Sequence, residues 1–166
     1  MNLIKRVTSY NNFETLKTQI IELEKSLQLP IISVQYYDNP DWQCAVGFHI
    51  GPIERKLVNL MPQLKGTAIE DFLKWLEWPV FRTRIMTLKP KSKYEIIHRD
   101  PTPRFHLPII TDPSCKFKFY MPEEVDQDHM PADGSLYWVD TRFRHTFVND
   151  SGFTRIHLVL PTDSIF

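Results

Sequence analysis

His98-Arg99-Asp100 sets an imidazole and a carboxylate two residues apart, a spacing that turns both side chains to one face at a strand end. Alone, the pair reads equally as a surface feature of a loop running into Pro101. His145, further along the chain, gives it another meaning. Two imidazoles and one carboxylate form a facial ligand set with three open positions, the geometry suited to non-haem Fe(II) and dioxygen. Arg155 follows ten residues after His145, across the turn Asn149-Asp150-Ser151-Gly152. An even hairpin register would put His145 and Arg155 on the same side. A guanidinium there can grip a carboxylate through two parallel hydrogen bonds.

Strands must position these groups. Candidate strands with period-two patterning cover residues 31–37, 43–49, 81–88, 94–98, 104–110, 116–120, 134–139, 144–149 and 155–160. In the strand at 104–110, Phe105, Leu107 and Ile109 share one side, with Arg104 and His106 opposite. The strand at 155–160 repeats the pattern, with Ile156, Leu158 and Leu160 opposite Arg155 and His157. One such strand is most simply wet on its polar face. Two Arg-x-His strands close to the candidate ligands are expected to line one cavity.

Two helices support the strands. Phe13, Leu16, Ile20, Leu23 and Leu27 recur at steps of three and four, with Asn11 or Asn12 as cap and Pro30 beyond the end. Thr67-Ala68-Ile69-Glu70 has the form of a capping box and opens a second helix, with Ile69, Phe72, Leu73 and Leu76 as its buried face and Pro79 as its stop. Thirteen prolines against five glycines, many of them in the second half, restrict that half to strands, loops and short helices. Helices packed on one side of an antiparallel β-sandwich or barrel is the expected architecture.

Several of these segments together resemble the aspartyl/asparaginyl β-hydroxylase family of Fe(II)- and 2-oxoglutarate-dependent oxygenases. The matching segments are His98-Arg99-Asp100, Arg104-Phe105-His106-Leu107-Pro108, Gly134-Ser135-Leu136-Tyr137, His145-Thr146-Phe147-Val148-Asn149 and Arg155-Ile156-His157-Leu158. The resemblance covers roughly residues 81 to 160. The resemblance implies a mainly β fold with flanking helices, whose core is a double-stranded β-helix, the cupin-like jelly roll. It implies a single oxygenase domain over 1–166, with 1–80 as support and 81–160 as the core. It also implies that His98, Asp100 and His145 hold Fe(II), that Arg155 pairs with the distal carboxylate of 2-oxoglutarate, and that His106 contacts this cosubstrate. Arg104 falls where relatives contact cosubstrate or an acidic substrate, and Asn149 would shape the turn. Some mammalian members carry glycine where this chain has Asp100, so the likeness is to members with a full triad. The implied reaction hydroxylates an amino acid or a peptide or protein side chain with dioxygen. A metal-dependent cupin-type isomerase and a non-catalytic binding barrel are the alternatives, and the isomerase has no need of Arg155.

Composition narrows the partners. Twenty basic residues balance twenty acidic ones, so no net charge draws the chain to nucleic acid or an acidic membrane. No apolar run is long enough to span a bilayer, and the start lacks the apolar core of a secretory signal, so the cytoplasm is the expected location. Cys44 and Cys115 have no paired spacing and read as reduced thiols. Lesser candidates carry a structural alternative each. His157 reads as a supporting or core residue, His49 as an ordinary strand residue and His129 as part of a solvated acidic loop. Trp75 and Trp78 read as core aromatics, and one of Tyr137 and Trp138 should face the cavity. Arg82 and Arg84 should share one strand face, either near an acidic substrate or in solvent.

Overall fold

A computed structural model describes residues 2–94, 96–122 and 125–166, with side chains described for all of these except 48–51. Twelve strands are β1 (Ile4–Ser9), β2 (Ile31–Ser33), β3 (Gln35–Tyr36), β4 (Asn59–Leu60), β5 (Arg84–Leu88), β6 (Ser92–Lys93), β7 (Arg104–Ile110), β8 (Cys115–Tyr120), β9 (Val125–Asp128), β10 (Ser135–Val139), β11 (His145–Asn149) and β12 (Arg155–Pro161). The two α-helices are α1 (Phe13–Leu27) and α2 (Ala68–Trp75). A six-stranded sheet runs β1-β10-β7-β12-β5-β2 and faces a four-stranded sheet β6-β11-β8-β9. All the pairings are antiparallel. The fold is the cupin-like jelly roll, mainly β with flanking helices. Among the described residues no helix is long and apolar enough to cross a membrane.

The central strands β10, β7 and β12 of the six-stranded sheet are buried on both faces. Phe105, Leu107, Ile109, Leu136, Trp138, Ile156, Leu158 and Leu160 form its helix-facing side and pack with Phe13, Leu16, Ile20, Ile69 and Phe72. On the opposite face Tyr137 and Val139 meet Phe117, Phe119, Met130 and Leu3, closing one end of the sandwich with apolar groups. Alternation along β8 turns Cys115, Phe117 and Phe119 inward and leaves the residues between them half-buried. The polar inner faces of β5, β7 and β12 therefore share the other end of the sandwich.

Helix α1 has the bounds that its apolar stripe predicts. Helix α2 lacks a complete capping box. Glu70 Oε2 accepts from the Gly66 amide at 2.6 Å, Thr67 Oγ1 turns back to the Leu64 carbonyl, and Gln19 Oε1 accepts from the Ile69 amide. The second helix is thus partly capped by the first, a tertiary contact outside the local pattern. Trp78 packs on Phe105 and Phe166, whereas Trp75 is 37 % exposed.

The expected strand at 43–49 does not form: the chain turns there and enters the 3₁₀ segment Phe48–Lys56. Part of the reason is a contact distant in sequence. Arg82 takes a left-handed φ of 48° and binds the carbonyls of Ala45 and Gly47, each at 2.9 Å, so this loop is held by a side chain instead of a ladder. Strand β5 consequently begins at Arg84, not at residue 81. The segment 94–98 is reduced to an isolated bridge between His98 and His145, with Glu95 outside the described residues. Strands β1 and β9 were not expected. The first pairs with β10, and the second converts part of the acidic loop into an exposed edge strand paired with β8. Residues 123 and 124 of that loop, and the side chain of His49, lie outside the described residues. Cys44 and Cys115 are both free thiols.

Candidate metal centre

His145 opens β11, and its backbone exchanges hydrogen bonds with His98, N to O at 2.9 Å and 3.1 Å. Two residues on, the Asp100 amide donates to the Thr141 carbonyl at 2.8 Å. The His98–Asp100 segment is thereby pinned beside β11 without being a full strand. One ligand atom from each of His98, Asp100 and His145 can be chosen so that all lie within 4.8 Å of one another. Asp100 Oδ1 is 3.8 Å from His98 Nε2, and Oδ2 is 3.5 Å from His145 Nε2.

Backbone contacts select the nitrogen that each imidazole presents. His98 Nδ1 is 3.1 Å from the Ile96 carbonyl, and His145 Nδ1 is 2.9 Å from the Phe143 carbonyl. A carbonyl only accepts, so each Nδ1 carries the proton and each Nε2 presents a lone pair toward Asp100. Burial pushes the His145 pKa down to about 4, which keeps the ring neutral at physiological pH. Phe117 stacks on that ring at 5.1 Å. Burial by itself would raise the Asp100 pKa, but Arg104 and the two histidines hold it below the ordinary carboxylate value. The Arg104 guanidinium donates to Asp100 Oδ1 at 2.5 Å.

These groups lie on a cavity of about 170 Å³. Its lining includes His98, Asp100, His145, Arg104 and His106, together with Arg82, Arg84 and the apolar Met86, Phe117, Phe147 and Val159. Arg155 and His157 are deeper. Arg155 donates to His157 Nδ1 at 3.0 Å, and the same nitrogen is 3.4 Å from His106 Nδ1. The Arg155 guanidinium also lies 5.2 Å over the Phe147 ring. Among the described residues no carboxylate pairs with it, and burial lowers its pKa to about 10, which still leaves it charged near neutrality.

The two Arg-x-His strands were expected to line one cavity, and only one does: Arg104 and His106 line it, whereas Arg155 and His157 are buried outside its lining, with His157 against His106. The expected hairpin between His145 and Arg155 is absent. Strands β11 and β12 belong to different sheets, and the β11 side chain that Arg155 approaches is Phe147, not His145. Asn149 holds the turn between the two strands. Its Nδ2 donates to the carbonyls of Leu88, Lys89 and Phe153, and its Oδ1 accepts from Ser151 and Cys115. Asn149→Ala should lower stability by at least ~2 kcal/mol, since several buried backbone groups would lose their partners. An unchanged urea midpoint would contradict this role.

Neither Tyr137 nor Trp138 lines the cavity. Tyr137 joins the apolar end of the sandwich, and Trp138 faces the helices and donates to the Ser164 carbonyl at 2.9 Å. His129 is half-buried, with Nδ1 3.2 Å from the Cys115 carbonyl. Arg82 and Arg84 are both buried instead of forming a wet face, and Arg82 is bound to Glu54 at 2.9 Å. Glu54 escaped sequence reasoning because a lone glutamate in an irregular segment has no periodic signal.

The buried imidazoles set a pH dependence. Burial first, then Arg155, pushes His106 and His157 well below the usual imidazole value, in the same direction as His145. Unfolded, each would titrate near ~6.5. Below that value the unfolded chain binds more protons than the folded one, so stability rises with pH through this window. It is fully present above about pH 6.5 and is lost as pH falls toward the folded value of His145, about 4. The metal-free protein should therefore lose stability steadily as pH falls below about 6.5. Denaturant midpoints at pH 7, 6 and 5 check this, and equal midpoints would contradict it.

Comparison with solved structures identifies an overall architecture for this arrangement. An oxidoreductase of the 2OG-Fe(II) oxygenase family from Burkholderia pseudomallei aligns with a TM-score of 0.54 at 14% identity, over 96% of this chain and 83% of that one. The two share a fold. A cupin domain from Bordetella pertussis Tohama I aligns with a TM-score of 0.42 at 13% identity, over 54% of this chain and 88% of that one. No family model matches the chain, and no curated protein sequence matches it.

Proposed function

We propose that this chain is a single-domain Fe(II)- and 2-oxoglutarate-dependent oxygenase that hydroxylates an amino acid or an amino-acid side chain, like the aspartyl/asparaginyl β-hydroxylases. The observation that carries this reading is the pairing of a compact His98, Asp100, His145 donor set with a buried guanidinium, Arg155, that has no carboxylate among the described residues.

The residues fit both groups. Two lone-pair nitrogens and one ionised carboxylate suit a divalent metal with open positions. Among the described residues, four buried atoms at or behind the cavity, Arg84 Nε, Arg104 Nε, His106 Nε2 and His157 Nε2, have no hydrogen-bond partner. Buried polar atoms of this kind are costly unless a ligand satisfies them. Bound at His98, Asp100 and His145, Fe(II) would supply dioxygen activation, with 2-oxoglutarate as the co-reductant that leaves as succinate and carbon dioxide.

The chain's own contributions follow from its geometry. The Ile96 and Phe143 carbonyls hold the imidazoles in the ligating tautomer. Arg104 keeps Asp100 ionised and oriented, so its first task is positioning, with Nε left to reach cosubstrate or substrate. Arg155 and His106 would anchor 2-oxoglutarate. Phe117, Phe147, Met86 and Val159 exclude water from the reacting bond. A buried, unpaired Arg155 does nothing for an isomerase, which disfavours that alternative.

Succinate formation is the test. Protein supplied with Fe(II), dioxygen and 2-oxoglutarate should release succinate, faster with the right amino acid or peptide, and not when iron is withheld. A correctly folded, iron-replete protein that forms no succinate with any of a panel of free amino acids and peptides would count against it.

A further inference from the structure

Arg155, His157 and His106 form a buried chain of hydrogen bonds, and Arg155 fixes where its protons sit. An arginine only donates, so the guanidinium gives an N–H to His157 Nδ1, 3.0 Å away. That nitrogen is therefore bare, and the neutral His157 ring carries its proton on Nε2. Burial and the neighbouring guanidinium keep this ring uncharged. His106 Nδ1 lies 3.4 Å from the same bare nitrogen. Two lone pairs would repel there, so His106 holds its proton on Nδ1 and leaves Nε2 bare. All three side chains belong to residues that are at most 5 % exposed, so water does not compete for these positions.

This resting arrangement is the wrong one for an anion at His106. A carboxylate oxygen only accepts, and the bare His106 Nε2 has no proton to give. Among the described residues neither His106 Nε2 nor His157 Nε2 has a partner. Placing a proton on His106 Nε2 bares its Nδ1, which must then accept from His157. His157 Nδ1 can donate only after Arg155 lets go of it. The Arg155–His157 bond and a hydrogen bond from His106 to a carboxylate are thus mutually exclusive. A carboxylate that draws the guanidinium away removes the obstacle. The Nδ1 proton of His106 then passes to His157 Nδ1, His106 Nε2 takes one proton from water, and His157 Nε2 returns one. Both rings end neutral.

We propose that His157 is a positioning residue with two settings. Bound to Arg155, it holds His106 as an acceptor; released by a cosubstrate carboxylate on Arg155, it turns His106 into a donor to that cosubstrate. The identity of the cosubstrate rests on the oxygenase reading, while the resting chain rests on the three side chains alone.

Histidine ¹⁵N spectra of the Zn(II)-loaded protein test this, because a protonated ring nitrogen and a bare one differ widely in shift. Zn(II) serves as a diamagnetic substitute for Fe(II), and ring signals are assigned through bonds to each residue's backbone. Without ligand, His106 should be protonated on Nδ1 and His157 on Nε2. With saturating 2-oxoglutarate, its binding checked by calorimetry, both assignments should reverse. In ligand-free His157→Phe, His106 should no longer keep its proton on Nδ1, whereas a purely structural His157 would leave it there. Other tautomers in the free protein overturn the proposal, and so does bound 2-oxoglutarate that leaves the resting pattern in place. If His157→Phe does not fold, these two wild-type spectra still decide. Wild-type protein that binds no 2-oxoglutarate sinks the oxygenase reading and the ligand-driven setting with it. The free-protein spectrum then decides alone whether His157 sets the proton on His106.

Discussion

A His145→Ala variant is expected to lose metal affinity by more than the roughly 10–100-fold typical of removing an outer partner, and to release no succinate. In the proposed site His145 would supply one of three ligand atoms, and its loss would leave one imidazole and one carboxylate. The ring is buried against Phe117, so its loss also leaves a cavity and lowers stability. His98→Ala separates the two effects, because the His98 side chain is 18% exposed and packs less tightly. The same loss of metal binding in both variants, with native circular dichroism, is the expected result. Full metal affinity in either would remove that residue from the ligand set.

Arg155→Met is expected to weaken 2-oxoglutarate binding by at least ~30-fold, the cost of removing one partner from a buried charge pair. It should leave metal affinity unchanged. Stability without ligand should stay level or rise, since an apolar side chain would replace a buried guanidinium whose hydrogen bond is to His157 and which faces no described carboxylate. This combination is unusual for a core substitution, where loss of contacts ordinarily destabilises. Calorimetry with 2-oxoglutarate and a thermal melt test both halves. Unchanged cosubstrate affinity would give Arg155 a structural role in orienting His157.

Much of this site was legible in the residues because strand alternation is a strict rule. Arg104 and His106 had to oppose Phe105 and Leu107, and Arg155 and His157 had to oppose Ile156 and Leu158, whatever their partners. Both faces proved buried because helices cover one and the second sheet covers the other. The period cannot say which sheet a strand joins. His145 and Arg155 therefore looked like a hairpin pair, yet their strands lie in different sheets, joined by the turn that Asn149 organises. The strand predicted at 43–49 was lost to a side-chain network from Arg82, a residue 37 positions away from Ala45. Strand β9 was hidden by its charge, since an exposed edge carries no apolar alternation. Arg84 looked ambiguous for a related reason, since exposure depends on the packing of the strand and not on its sequence.

The most direct measurement is an anaerobic titration of the Fe(II)-loaded protein with 2-oxoglutarate, followed by visible absorbance. A saturable metal-to-ligand charge-transfer band in the wild type, with saturation moved to higher cosubstrate concentration in Arg155→Met, is the predicted result. With iron occupancy verified, no band at any concentration of 2-oxoglutarate would contradict an Fe(II)- and 2-oxoglutarate-dependent oxygenase.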